Sequence, residues 1–261
     1  MIPHASLIID PVTAARDAAG HLLLGLDFDG TLAPIVPRPE DAALPPDAGA
    51  VLRSLVRRGD TWIAILSGRS LADIAARARL DGAFYAGNHG LEIEGPGVRR
   101  VHERAEATRE LIGAIAAQLE ERLAAIPGTQ IEEKGLTLSV HYRRVSDERG
   151  ARWTREIVEQ TCVPHEELRV THGKKIVEVR PAVDWHKGEA LRFLRDTIIG
   201  REIAPTIFIG DDLTDEDAFP HVGPEGYGII VADPLPAKTA AAAYLRSPVE
   251  VVDFLRRLDG T

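Results

Sequence analysis

Leu22-Leu23-Leu24-Gly25-Leu26-Asp27-Phe28-Asp29-Gly30-Thr31-Leu32 is the stretch from which the rest of the chain can be read. A short apolar run ends abruptly in two acids and a glycine, as a buried strand does when it leaves the core for a polar turn. Side chains alternate along a strand, so an extended chain sends Asp27 and Asp29 to one face and Phe28 to the other. The same pattern recurs in Trp62–Leu66 before Ser67-Gly68-Arg69, in Phe84–Ala86 before Gly87-Asn88-His89-Gly90, and in Thr206–Ile209 before Gly210-Asp211-Asp212. It appears again in Gly228–Val231 before Ala232-Asp233-Pro234. Helical patterns, notably Asp47–Arg58 and Ser70–Arg79, lie between several of these runs. That alternation predicts a Rossmann-like, doubly wound α/β core around a parallel sheet. Ligands in such sheets bind at the carboxyl ends of the strands, where these polar clusters fall.

Between about residues 105 and 181 the period changes. A long amphipathic segment (Glu106–Leu123) precedes two alternating strands (Gln130–Glu133 and Thr137–Arg143), a helix (Asp147–Gln160) and two more strands (Leu168–Thr171 and Lys175–Arg180). This predicts an α+β cap, 105–181, inserted into a discontinuous core of 1–104 and 182–261, with a cleft between them. The alanine cluster within Ala237–Ala243 suits a short surface helix. The first twenty residues carry no clear pattern.

The 261 residues are enough for a sizeable core, and a formal charge of −9 weighs against nucleic acid as a partner. A single cysteine, Cys162, cannot form an internal disulfide, and no signal peptide or membrane-spanning apolar run is visible. A cytoplasmic protein with no membrane partner is expected. Oligomeric state is not legible, and a monomer is the default.

Two carboxylates at one strand end suit phosphoryl transfer: one attacks phosphorus, and the other protonates the leaving oxygen and later activates water. Gly210-Asp211-Asp212-Leu213-Thr214-Asp215-Glu216-Asp217 adds a second acidic cluster at another strand end. Two such clusters facing one cleft would repel without a cation, and hard oxygen donors favour Mg2+. Asp27, the Asp29 main-chain carbonyl and Asp211 are the expected ligands. Asp212 or Asp215 is expected to orient water behind them. Thr214 with Asp217 also fits a helix capping box, a purely structural use of those residues. Ser67, with the neighbouring amide of Gly68, and Lys187 are candidates to hold the phosphate and neutralise its charge. Taken singly, each also reads as an ordinary turn or surface residue. No spacing of His and Cys suits zinc, and none is expected.

Asp27-Phe28-Asp29-Gly30-Thr31-Leu32, Ser67-Gly68-Arg69, Lys187-Gly188 and Gly210-Asp211-Asp212-x-x-Asp215 together resemble the four ordered motifs of haloacid dehalogenase superfamily phosphatases. The resemblance implies Asp27 as nucleophile, Asp29 as general acid/base, Thr31 and Ser67 as phosphate contacts, Lys187 as charge neutraliser and Asp211 as metal ligand. A narrower resemblance, to the trehalose-6-phosphate phosphatases, is carried by Asn88-His89-Gly90, Glu132-Glu133-Lys134-Gly135, Leu138-Ser139-Val140-His141-Tyr142-Arg143, Glu178-Val179-Arg180-Pro181 and the Gly210–Glu216 stretch. It implies a small sugar phosphate as substrate, hydrolysed through an aspartyl-phosphate. Glu132, Lys134 and Glu178 are then implied sugar contacts, with Asn88, His141 and Arg143 as further candidates. Alternation agrees, placing Glu132 with Lys134 on one strand face and Ser139, His141 and Arg143 on another. A solvent-facing side of an antiparallel sheet would show the same pattern. The competing functions are the same chemistry on another sugar or glycosyl-glycerate phosphate, and a non-catalytic sugar-phosphate sensor.

Overall fold

The apolar run Leu22–Leu26 is buried at every position, because it forms the inner strand of a sheet covered on both faces. The computed structural model describes residues 2–198 and 204–260. In chain order the elements begin with α1 (Ile9–Ala19), β1 (Leu22–Leu26), α2 (Pro46–Arg58), β2 (Thr61–Leu66), α3 (Leu71–Ala78), β3 (Phe84–Gly87), β4 (Glu92–Gly95) and β5 (Val98–Val101). There follow α4 (Glu103–Glu106), α5 (Arg109–Leu123), β6 (Gln130–Glu133), β7 (Leu138–His141), α6 (Glu148–Cys162), β8 (Leu168–Gly173) and β9 (Ile176–Pro181). The chain then continues through α7 (Lys187–Ile198), β10 (Thr206–Gly210), α8 (Leu213–Glu216), β11 (Tyr227–Val231), β12 (Ala243–Leu245) and α9 (Pro248–Asp259). It divides into two compact units: residues up to Arg100 with those from Trp185 onward, and Val101–Asp184.

In the first unit the sheet order is β12-β11-β10-β1-β2-β3-β4-β5, parallel from β12 to β3, with β4 antiparallel to β3. The fold is therefore the α/β, doubly wound type. From β1 the chain builds outward through β2 and β3, then returns to the other side of β1 with β10. The β1/β10 boundary is the switch point at which such sheets open a ligand crevice. Leu22, Leu24 and Leu26 pack on one face with α1, α2, α3 and α9, while Leu23 packs on the other with Ala190, Leu191 and Leu194 of α7. Gly25 permits that second packing: a Cβ there would lie 2.8 Å from Phe208 Cδ2 and 3.0 Å from Leu191 Cδ1. Helix ends follow local chemistry. Ser70 caps α3 by accepting from the Asp73 N–H, and Pro248 follows the Ser247 cap of α9.

In the second unit the sheet order is β6-β7-β9-β8, antiparallel throughout. Ile112, Ile115 and Leu119 of α5 and Val158 of α6 pack on Leu138, Val140, Val177 and Val179, leaving the alternate residues of the strands for the polar face.

The structure corrects three local expectations. Glu106–Leu123 is not one helix: α4 ends at Glu106 and α5 begins at Arg109, with the buried Thr108 hydroxyl donating to the Ala105 carbonyl at 2.9 Å. The alanine cluster forms no helix. Its residues run as irregular chain into β12, where pairing with β11 overrides alanine's helix propensity. The unpatterned N-terminus does form a helix, α1, which buries Ile9 and Val12.

Candidate active site

Asp27 immediately follows β1, and Asp211 follows β10, so the switch point brings the two acidic clusters together. Carboxylate oxygens of Asp27, Asp211 and Asp215 lie within 4.8 Å of one another. Two glycines make room for them. Gly30, at φ +93°, has Asp211 Oδ2 at 2.2 Å from where its Cβ would be, and Gly210 has the Asp215 carboxyl carbon at 2.3 Å. Any side chain at either position would displace a carboxylate. A cleft of ≈ 400 Å³ lined by Gly30, Asp211, Val231, Asp233 and Arg246, among others, opens beside Asp211.

Lys187 opens α7, is 2% exposed, and places Nζ 2.7 Å from Asp27 Oδ1 and 2.7 Å from Asp215 Oδ1. Burial alone would push this ammonium's pKa down, but Asp215, Asp27 and Asp212 hold it well above the usual lysine range. Asp215 is completely buried and also accepts the backbone N–H groups of Asp211 and Asp212 at 3.0 and 3.1 Å. Asp212 points the other way, accepting from the N–H groups of Thr214 and Asp215, so the capping box of α8 is Asp212 with Asp215. The expected Thr214–Asp217 box does not form, because the helix starts at Leu213 and Asp217 is its C-terminal cap.

Burial pushes the Asp27 carboxyl up to about 8 against the pull of Lys187, with Asp211 and Asp212 adding to the rise. Burial likewise raises Asp211 to about 7, reinforced by Asp215 and Asp212. Four carboxylates around one ammonium are short of positive charge. Asp211 Oδ1, buried, accepts no hydrogen bond from any described residue. An orphaned hard oxygen beside a second buried carboxylate fits a magnesium ion. The sign of the linkage follows from the raised values. In the folded, metal-free protein these groups hold protons that the unfolded chain, with carboxyls near 3.8, has already released. Stability should therefore fall as pH rises from about 4 through 7 and 8. Magnesium, standing in for those protons, should raise Tm more at pH 8 than at pH 5. Thermal melts with chelator and with magnesium across that range check this, and a magnesium increment independent of pH would refute it.

Asp29, the second acid at the end of β1, has a partner of its own. Its carboxylate is gripped by Arg69, with Nε 2.6 Å from Oδ2 and Nη2 2.7 Å from Oδ1. Arg69 is itself buried, donates to Asp73 at 2.8 Å and to the Pro39 carbonyl at 2.9 Å, and stacks over Phe28. Arg69 closes the Ser67-Gly68-Arg69 motif, which by itself assigns it no role. Its position two residues after Ser67, at the end of the strand beside β1, was the available signal. Thr31 is fully buried with Oγ1 unpartnered among the described residues, as a hydroxyl awaiting an anion would be. Ser67 is buried at the end of β2, and its Oγ accepts the Arg69 N–H at 3.2 Å. Gly68 lies under the His89 ring, 2.8 Å from the site of a Cβ. Asn88 is buried in a left-handed conformation, φ 49°, and donates to Glu92 at 2.5 Å.

On the polar face of the second unit the strand register sets Ser139 opposite both Glu132 and Glu178. His141 pairs with Glu132 at 2.8 Å, and Lys134 Nζ and Ser139 Oγ both donate to Glu178, at 3.4 and 3.3 Å. Glu132, Lys134, Ser139, His141 and Glu178 thus form one cluster of donors and acceptors. Arg143 lies beyond the end of β7, exposed, on the Lys174 carbonyl, because the strand ends at His141. The structure does not bring it to the others.

A family model described as trehalose-phosphatase matches residues 25–244. The chain belongs to the trehalose-phosphatase family. It is 41% identical over 237 residues to a trehalose-phosphate phosphatase of Mycobacterium marinum, covering 89% of this chain and 60% of that one. The chain therefore spans about three fifths of the length of that curated relative. Among solved structures it is similar to the C-terminal domain of trehalose-6-phosphate phosphatase from C. albicans (TM-score 0.79, 25% identity, 100% of this chain and 98% of that). It is also similar to trehalose-6-phosphate phosphatase from Aspergillus fumigatus (TM-score 0.66, 26% identity, 100% and 99%). In trehalose-phosphatase terms the matched span takes in both acidic clusters, Lys187 and the polar face of the second unit. No helix among the described residues is long and apolar enough to cross a membrane.

Proposed function

We propose that this chain hydrolyses trehalose 6-phosphate to trehalose and inorganic phosphate through a phosphorylated Asp27. The observation that carries the reading is the buried Asp27 carboxylate, 2.7 Å from Lys187 Nζ and grouped with Asp211 at the switch point of the sheet. Asp27 attacks phosphorus and the bond to the sugar oxygen breaks. Asp29 gives its proton to that oxygen, then takes one from the water that attacks the aspartyl-phosphate and releases Asp27. Arg69 holds both Asp29 carboxylate oxygens, so Asp29 must leave part of that grip to reach the departing sugar oxygen. Lys187, the Thr31 and Ser67 hydroxyls and the Gly68 amide meet the phosphoryl oxygens. Asp27, Asp211 and the Asp29 main-chain carbonyl would hold magnesium, which when bound neutralises the carboxylates and the phosphate charge. Asp215 and Asp212 serve behind them, Asp215 by fixing Lys187 and the Asp211 and Asp212 amides.

Sugar recognition is assigned to Glu132, Lys134, His141 and Glu178, whose mixed donors and acceptors suit a ligand rich in hydroxyls. Asn88 is a weaker candidate, since its amide already serves Glu92. A cytoplasmic setting goes with this reading, in which the buried Cys162 stays a thiol.

Phosphate release from a panel of sugar phosphates, with magnesium and with chelator, tests the proposal. Trehalose 6-phosphate should be the preferred substrate, and turnover should vanish with chelator. Preference for a different phosphate ester would transfer the chemistry to another substrate, and tight binding without release would favour a sensor. Glu178→Ala should reduce kcat/KM for trehalose 6-phosphate roughly 10- to 100-fold, the range for one or two lost hydrogen bonds to charged groups. Hydrolysis of a small aryl phosphate should be nearly unchanged, and equal losses on both would remove Glu178 from sugar recognition.

A further inference from the structure

On the first unit, apart from the carboxylate cluster, the fold assembles three metal-ligating side chains. His186 precedes α7, Glu189 lies in the first turn of that helix, and His221 comes from the short helical turn Phe219–Val222. One ligand atom from each lies within 4.8 Å of the others, and all three residues are partly exposed. The two imidazole rings meet edge-on with centroids 5.5 Å apart. Gly188 allows this approach. A Cβ there would lie 2.2 Å from the Asp217 carbonyl oxygen and 2.6 Å from His221 Cδ2, so any larger residue would push the turn away from α7.

We propose that His186, Glu189 and His221 bind one zinc-class divalent cation, at a site separate from the one holding magnesium. Two imidazoles and a carboxylate suit a borderline-soft ion that accepts nitrogen donors and leaves a fourth position for water. Magnesium prefers the all-oxygen cluster at Asp27 and Asp211. Chain spacing hides the set, because His221 lies far along the sequence from Glu189 and no Cys takes part. Occupancy competes with identifiable contacts. His186 Nδ1 accepts the Gly188 N–H at 3.1 Å, Glu189 is paired with the exposed Arg192, and Arg195 donates to the His221 carbonyl at 2.9 Å. Zinc therefore displaces the cap hydrogen bond of His186 and the Arg192 contact, both single and partly exposed, while the Arg195 bond to the main chain stays. The consequence lies in Lys187, which sits between His186 and Glu189 and points inward to Asp27 and Asp215. A cation on the outer side ties the turn bearing Lys187 to Phe219–Val222.

Calorimetric titration of zinc into the full chain, with magnesium saturating, tests the site. One equivalent should bind, cobalt(II) in its place should show the visible absorption of a low-coordinate nitrogen and oxygen site, and zinc should raise Tm. His221→Ala and Glu189→Gln should each weaken zinc binding by ~10-fold or more, abolish the Tm increment, and leave magnesium-dependent phosphate release unchanged. Glu189→Gln preserves the shape of the turn, so its loss of binding cannot be attributed to misfolding. Zinc bound equally by wild type and both variants, or no zinc bound once magnesium is saturating, would overturn the proposal. Neither result bears on hydrolysis of the sugar phosphate.

Discussion

Asp27→Asn should lower magnesium-dependent phosphate release by ~10⁴-fold or more, because it removes the proposed nucleophile while keeping shape and volume. The same substitution should raise the Tm of the metal-free protein at pH 8. Burial and the neighbouring Asp211 and Asp212 hold the Asp27 carboxyl up to about 8, so ionising it in the fold is unfavourable, and an amide avoids that penalty. Loss of the ion pair with Lys187 opposes the gain, but Lys187 retains Asp215 at 2.7 Å. Activity and stability should therefore move in opposite directions, as they do where a functional group is held in an unfavourable place. Phosphate release and thermal melts on one preparation measure both. Retained turnover in Asp27→Asn would remove Asp27 from the chemistry, and a lower metal-free Tm would show that the Lys187 pair outweighs the repulsion.

Lys187→Met should damage both the stability of the core and its activity. It removes an ammonium that lies 2.7 Å from both Asp27 and Asp215, all three being buried. Breaking a buried ion pair by deleting one partner costs about 3–5 kcal/mol, which for a unit of this size lowers Tm by roughly 6–20 °C. Methionine fills much of the space, so the loss reports charge more than packing. Acid should soften the effect, since at low pH the carboxylates take up protons and no longer need the ammonium. Activity should fall ~10²–10³-fold even where the protein remains folded, the scale for one electrostatic group facing a developing negative charge. A variant with wild-type Tm at pH 8 would contradict the arrangement described, and unchanged kcat would restrict Lys187 to a structural role.

The contrast between these two residues shows how unevenly the site could be read from the chain. Asp27 was visible because an apolar run ended by an acid is a local pattern, and the period-two rule acts within a few residues. Lys187 had nothing local to distinguish it from a surface lysine: it was a candidate because a phosphate needs a cation, and its order among the other motifs strengthened it. Arg69 was in plain sight yet unassigned: its place just after Ser67 puts it near the site, but its grip on Asp29 depends on β2 pairing with β1. Asp215 was expected to orient water. Its complete burial beneath Lys187 and its part in the Asp212 cap depend on where α8 begins. Arg143 shared the parity of Ser139 and His141, but parity holds only as long as the strand does, and β7 ends at His141.

From the residues alone came the α/β class, the strand ends where the acidic clusters fall, the presence of a differently patterned insert and the acidic character of the candidate site, because hydrophobic period and turn composition act over short stretches. The tertiary structure decided which face each carboxylate takes, that alanines near the C-terminus join a sheet instead of a helix, and that His186, Glu189 and His221 meet at all. Those outcomes depend on pairing and packing between distant segments, and a sheet that returns its fourth parallel strand beside its first can bring together residues that no spacing rule connects.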